Sequence, residues 1–268
     1  MTSAPFREKF TAAIVRAGVP ICVGLDPDPD RIPPHLGRGV MAAYQFLTSI
    51  IEATRDAVAA FKPNTAYFEA YGHEGWALLE KLRDRAGQNV LWIVDAKRGD
   101  VEHTNEAYAR ALFDILKADA MTAQPYLGMA ALEPFYRDPA HGVFVLCATS
   151  NPGAEEMQSI PAPDSPTLLE YVAKRVVKAN VNRNLGLVVG TTKPEALNAV
   201  LGCATELPLL LPGGGAQGGD TKATMQRVKQ AGATGLFNFS RSVIYKSPGK
   251  DFAEAARGEV ENLQALLR

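Results

Sequence analysis

The sequence predicts an α/β fold: one (β/α)8 TIM barrel over residues 1–268, with an extra N-terminal helix. Three observations predict it. Eight short, mainly apolar runs punctuate the chain, longer amphipathic segments separate them, and 268 residues is the size that eight strand–helix units require. A doubly wound open sheet reads with the same βαβα alternation and is the alternative.

A helix over about 5–17 precedes the first strand, PICVGLD (20–26). The second strand is AVAAFKP (57–63). GWALLEKLRDRA (75–86) follows as a helix with Leu78, Leu79 and Leu82 on one face. The third strand, VLWIVDA (90–96), leads to the helix NEAYARALFDILKA (105–118), and DAMTAQP (119–125) and GVFVLCA (142–148) are strands four and five. Segment 150–166 is rich in Pro, Ser and Gly and is too short for a domain linker, so it is expected to be a long loop before the helix PTLLEYVAKRVVKAN (166–180). NLGLVVG (184–190), the helix KPEALNAVL (193–201) and LPLLLPG (207–213) come next. DTKATMQRVKQAG (220–232) is a helix with Asp220 as N-cap and Gly232 as its stop. ATGLFNF (233–239) is the last strand and about 251–267 the last helix. Most strands are continuous apolar runs, which suits strands buried on both faces.

Composition narrows the function. Lys plus Arg total 28 against 29 Asp plus Glu, a net charge of -1. Binders of a phosphate backbone carry a basic excess, so nucleic acid is not the expected partner. No run reaches the ~18 apolar residues of a membrane span. The N-terminus MTSAPFREKF has no signal-peptide core. Cys22, Cys147 and Cys203 sit in apolar stretches without CxxC spacing and are expected to be small core residues. The four histidines are scattered, with no HExxH pattern. A cytoplasmic protein is expected.

Polar residues gather where the predicted strands end. The first ends in Asp26, the second in Lys62 within FKPN, and the third in Asp95, Lys97 and Asp100 within DAKRGD. Ser150–Gly153 follows the fifth, PGGGAQGGD the seventh, and NFSRS with Arg241 the eighth. In a barrel these positions form one rim, where active sites lie. Asp95 and Lys97 are two apart on a strand, so both point to one side, within reach of Lys62. Burying such charges gives weak net stability, so a network at a barrel mouth points to a tuned site.

Asp-x-Lys-x-x-Asp at a third barrel strand, with a Lys ending the second, is similar to the orotidine 5′-phosphate decarboxylase suprafamily. DAKRGD with Thr104 and AYA (107–109), SNPG, GAQGGD and Arg241 resemble the decarboxylase family itself, in its longer bacterial branch, over about residues 20–245. The resemblance implies a nucleotide substrate, no cofactor and no metal. It implies Lys97 as proton donor to C6 of the pyrimidine, Asp95 beside the departing carboxylate, and Lys62 between Asp95 and the ribose. Asp100 and Thr104 would reach the neighbouring subunit's site, which makes a homodimer with shared active sites. Asp26 would bind the ribose hydroxyls and Ser150 the pyrimidine edge. Gln217, Arg241 and the backbone N–H of Ser240 would hold the phosphate.

The chemistry suits those residue types. Loss of CO₂ from C6 leaves a poorly delocalised carbanion, which an ammonium fixed between carboxylates can stabilise and then protonate. Gly213, Gly215 and Gly218 match a dinucleotide G-x-G-x-x-G, but the next strand ends in no Asp or Glu to hold a ribose. A Gly-rich loop before a helix, with Arg241 nearby, suits one phosphate monoester and a closing lid. Two alternatives stay open at this level: a metal-assisted sugar-phosphate decarboxylase or aldolase of the same suprafamily, and a phosphate-ligand sensor without turnover.

Overall fold

The computed structural model describes residues 4–213 and 220–268. Strands β1 (Ile21–Leu25), β2 (Ala60–Pro63), β3 (Leu91–Arg98), β4 (Ala120–Ala123), β5 (Gly142–Ala148), β6 (Leu185–Val189), β7 (Leu209–Pro212) and β8 (Gly235–Phe239) pair in sequence order into a closed parallel barrel. Pairing of β1 with β8, Cys22 opposite Asn238, closes it. The open-sheet alternative is therefore excluded.

Period-2 alternation divides the core into two layers. Val23, Phe61, Trp92, Val94, Met121, Val145, Leu187, Leu211 and Phe237 face the helices in the larger cluster. Cys22, Ala60, Leu91, Ile93, Ala120, Phe144, Val188, Leu210 and Leu236 form the smaller cluster inside the barrel. Both faces are dry, which is why the strands read as unbroken apolar runs.

The N-terminal helix, Phe6–Ala17, buries Phe6, Phe10, Ala13 and Ala17. Phe6 and Phe10 close the barrel floor against Phe144, at 6.0 and 6.2 Å between ring centroids. Asp119 pins the same end, accepting from Lys9 Nζ and an Arg83 guanidinium N–H, both at 3.2 Å, and from the Trp92 N–H at 2.9 Å. With the floor packed by these side chains, the cavity lies at the strands' C-terminal ends.

The expected helices form at His73–Ala86, Leu168–Ala179, Pro194–Leu201, Thr221–Gln230 and Phe252–Leu267. Segment 105–118 forms as Glu102–Ala109, running into a π-helical stretch Arg110–Ile115. Asp220 caps its helix by accepting from the Ala223 N–H at 2.9 Å, and Gly232 takes a left-handed φ of 68° just past the end. One long helix, Gly39–Thr54, was not among those expected. It starts after Arg38, which makes no side-chain cap, and ends at Arg55 without a left-handed glycine. The usual punctuation is absent at both of its ends.

Candidate active site

Three charged groups meet at the mouth. Lys62 is an inward-facing residue of β2 and Asp95 of β3, on strands that pair side by side. Lys62 Nζ donates to Asp95 Oδ2 at 2.7 Å, and Lys97 Nζ donates to Asp95 Oδ1 at 2.5 Å. Thr122, inward-facing on β4, donates its hydroxyl to Asp95 Oδ1 at 2.9 Å and accepts the Lys97 backbone N–H at 3.0 Å.

Asp95 and Lys97 share a side, as their spacing predicts, but alternation is not the whole reason. The β3–β4 register shifts between Val94 and Arg98, and Lys97 has φ +47°. A left-handed lysine costs about 1–2 kcal/mol. Such outliers persist only where the surroundings hold them, and they gather at functional sites.

Burial disfavours the charge on Lys62, but the carboxylates of Asp95 and Asp26 outweigh it and hold the ammonium above the ordinary lysine range. Burial likewise opposes the charge on Asp95, and Lys62 with Lys97 outweighs that, so its carboxyl lies well below the usual range. At neutral pH Lys62 is a cation and Asp95 an anion. The Lys62 side chain is 6% exposed and that of Lys97 is 47% exposed, so Lys97 is the end of the chain of charges that can reach a ligand.

A cavity of about 720 Å³ lies over the network. Lys62, Asp95, Lys97 and Thr122 line one wall, Leu146, Val188 and Leu210 the facing one, and Thr149–Pro152 part of the rim. An ammonium facing an apolar wall acts more strongly on developing charge than it would in water.

Ser150 lies on the rim against Gly190, where a Cβ would come within 2.3 Å of its hydroxyl oxygen. Gln158 clasps the preceding residue: its Oε1 accepts the Thr149 N–H at 2.9 Å, and its Nε2 donates to Thr149 Oγ1 at 2.7 Å. Asp26, just past β1, takes a hydrogen bond from Ser240 Oγ on Oδ2, while its buried Oδ1 has no partner among the described residues. Gly24 permits this approach, since a Cβ there would sit 2.7 Å from the Ser240 side chain. Tyr245 braces the same corner, donating to the Asp26 carbonyl at 2.8 Å and accepting the Asp28 N–H at 2.6 Å. Arg241 begins the short helix Arg241–Ile244, is exposed, and pairs with no acid among the described residues.

Asp100 is not brought to the network. Its carboxylate accepts the Val101 N–H at 2.7 Å, and its backbone is tied to the fully buried Asn105. Thr104 lies half-buried on the following helix, its N–H bonded to the Val101 carbonyl at 3.1 Å. Gln217 lies outside the described residues. Cys22 and Cys147 are buried as expected, and burial pushes both thiols up to about 12; Cys203 is only half-buried. Thr122, Gln158 and Tyr245 were not singled out from sequence. Thr122 had one signal: it is the only hydroxyl in the apolar run AMTA.

Residues 19–257 match the family profile described as Orotidine 5'-phosphate decarboxylase / HUMPS family. The chain is 46% identical over 258 residues to an orotidine 5'-phosphate decarboxylase of Roseiflexus sp. (strain RS-1), covering 94% of this chain and 93% of that one. It is similar to the solved OMP decarboxylase of Leishmania donovani, with a TM-score of 0.83 and 37% identity over 98% of this chain and 99% of that one. Against the UMP synthase of the same organism the TM-score is 0.85 at 38% identity, and the match spans 100% of this chain but 57% of that longer one.

Proposed function

This chain belongs to the orotidine 5'-phosphate decarboxylase / HUMPS family, and we propose that it decarboxylates orotidine 5′-phosphate to uridine 5′-phosphate through the Lys62–Asp95–Lys97 network. It is a carboxy-lyase of pyrimidine biosynthesis, acting as one catalytic barrel over residues 1–268. The sugar-phosphate alternative is not favoured, because relatives matched over more than nine-tenths of both chains are nucleotide decarboxylases.

The observation that carries the mechanism is the half-exposed Lys97 ammonium, 2.5 Å from Asp95 and facing an apolar wall. As the C6–carboxylate bond breaks, its electron pair stays on C6 and CO₂ leaves. Lys97 stabilises that pair and gives C6 a proton, which it later regains from solvent. Asp95 lies beside the departing carboxylate and keeps the ammonium aimed. Lys62, buried and cationic, prevents Asp95 from standing as a lone buried anion. The unpartnered Oδ1 of Asp26 is an acceptor suited to a ribose hydroxyl, and Ser150 on the rim suits the pyrimidine edge. Arg241, Gln217 and the Ser240 N–H hold the phosphate.

The chemistry needs no electron sink beyond these side chains. The test follows the pyrimidine absorbance of orotidine 5′-phosphate with protein dialysed against EDTA. Full turnover is expected. Activity lost in chelator and restored by Mg²⁺ or Zn²⁺ would overturn the reading.

The working unit in this reading is a homodimer. Asp100 lies off the network of its own chain, and exposed Val101, Tyr126 and Leu127 stand on the neighbouring loops, which supports a partner covering this side. Asp100 and Thr104 then complete the partner's site. Lys97→Ala and Asp100→Ala subunits, each inactive alone, should recover activity when dissociated and mixed, since each mixed dimer holds one intact site. No recovery despite measured subunit exchange would assign each site to one chain. The compartment proposed is the cytoplasm; among the described residues no helix is long and apolar enough to cross a membrane, and the cysteines are free.

A further inference from the structure

We propose that Thr122 is a positioning residue for the reaction, whose hydroxyl locks the Asp95 carboxylate and the Lys97 backbone into one geometry. This rests on the reading of Lys97 as the group that meets the reacting carbon. Thr122 is 1% exposed, on β4, the strand beside the one that carries both charged residues.

Its hydroxyl has one proton and must satisfy two neighbours. Asp95 is a carboxylate at neutral pH and can only accept; the Lys97 N–H can only donate. The proton therefore points to Asp95 Oδ1, at 2.9 Å, and a lone pair receives the Lys97 N–H, at 3.0 Å. No other arrangement satisfies both, so the rotor is fixed.

Both ends of this bridge matter. Where the β3–β4 register shifts, the Lys97 N–H finds its acceptor in the Thr122 side chain. That bond holds the left-handed backbone from which the lysine side chain turns back to Asp95. On the other side, Asp95 Oδ1 receives both Thr122 Oγ1 and Lys97 Nζ, while Oδ2 receives Lys62. The hydroxyl thus fixes the rotation of the carboxylate that aims the ammonium. A valine would keep the shape, orphan the Lys97 N–H and leave Asp95 Oδ1 with the Lys97 ammonium as its one remaining donor among the described residues.

The test compares Thr122→Val, Thr122→Ala and Thr122→Ser with wild type by kcat, KM and the dissociation constant for uridine 5′-phosphate. Thr122→Ser keeps the hydroxyl and should stay within about threefold of wild type in kcat. Thr122→Val should lower kcat by about tenfold to a hundredfold, because a small misplacement of the reacting groups carries that penalty. Product affinity should change little, since Thr122 does not grip the phosphate. Thr122→Ala overpacks nothing and should match Thr122→Val, so the comparison survives if the valine variant folds poorly. Equal kcat for Thr122→Ser and Thr122→Val, or a valine variant as fast as wild type, would overturn the assignment. A wild-type protein without decarboxylase activity would instead sink the reaction itself, so the two failures are distinguishable.

Discussion

Lys97→Ala is expected to lower kcat for orotidine 5′-phosphate by more than about a thousandfold, about 4 kcal/mol in the barrier. The ammonium would stabilise the electron pair left on C6 and then supply the proton that quenches it. The two roles fall in one step and cannot be partitioned by deletion. Substrate binding should weaken too, because Asp95 would then present a less neutralised carboxylate to an anionic substrate. The fold should survive: the Lys97 side chain is half-exposed, and Asp95 keeps Lys62 and Thr122 as partners. Circular dichroism and Tm close to wild type would establish that.

Lys97→Arg refines the test. A guanidinium keeps the positive charge but hardly gives up a proton. A rate near that of Lys97→Ala would show that delivery of the proton matters as well as the charge. Turnover of Lys97→Ala within about tenfold of wild type, roughly 1.4 kcal/mol in barrier, would remove Lys97 from the mechanism.

The barrel was legible because the strands are dry on both faces. Runs such as GVFVLCA send Val143, Val145 and Cys147 to the helices and Phe144 and Leu146 to the interior, so neither face interrupts the apolar pattern. Strand positions follow from that, and the charged residues at strand ends follow from the barrel. Asp95, Lys97 and Lys62 therefore fall together at one rim from their positions at the strand ends. Gly39–Thr54 was missed because helix ends are read from caps and glycines, and it has neither a side-chain cap before it nor a glycine stop after it.

Thr122 and the turn at Lys97 were not legible for a different reason. A threonine inside AMTA satisfies strand propensity and carries no sign of what its hydroxyl meets. Its partners lie 25 and 27 residues away and are chosen by a local shift in strand register, which leaves no mark on composition or spacing. Asp100 is the converse case. Spacing groups it with Asp95 and Lys97, yet the chain turns it aside, its carboxylate receiving the Val101 N–H. In the shared-site reading that displacement is useful: one short motif then serves two pockets, the first part its own and the second its partner's.

Arg241→Ala should lower kcat/KM for orotidine 5′-phosphate by about two powers of ten or more, since charge-assisted contacts to phosphate are the strong ones. Arg241 is exposed at the end of β8 and pairs with no acid among the described residues, so removing it breaks no ion pair there and should leave Tm unchanged. Its neighbour Ser240 is hydrogen-bonded to Asp26, so a phosphate gripped here would be tied by a short path to the acid proposed to meet the ribose. Binding energy gained at the phosphate can then be used to close the site and to hold C6 against Lys97, far from where the grip is made. Orotidine, which lacks the phosphate, cannot draw on that energy. Its slow decarboxylation should be nearly the same in wild type and Arg241→Ala. Gln217→Ala should show the same selectivity more mildly, because a neutral amide is a weaker phosphate partner than a guanidinium. The measurement is kcat/KM for nucleotide and nucleoside with all three proteins. Equal proportional losses on both substrates would mean that Arg241 serves the fold or the chemistry, and the phosphate would need another partner.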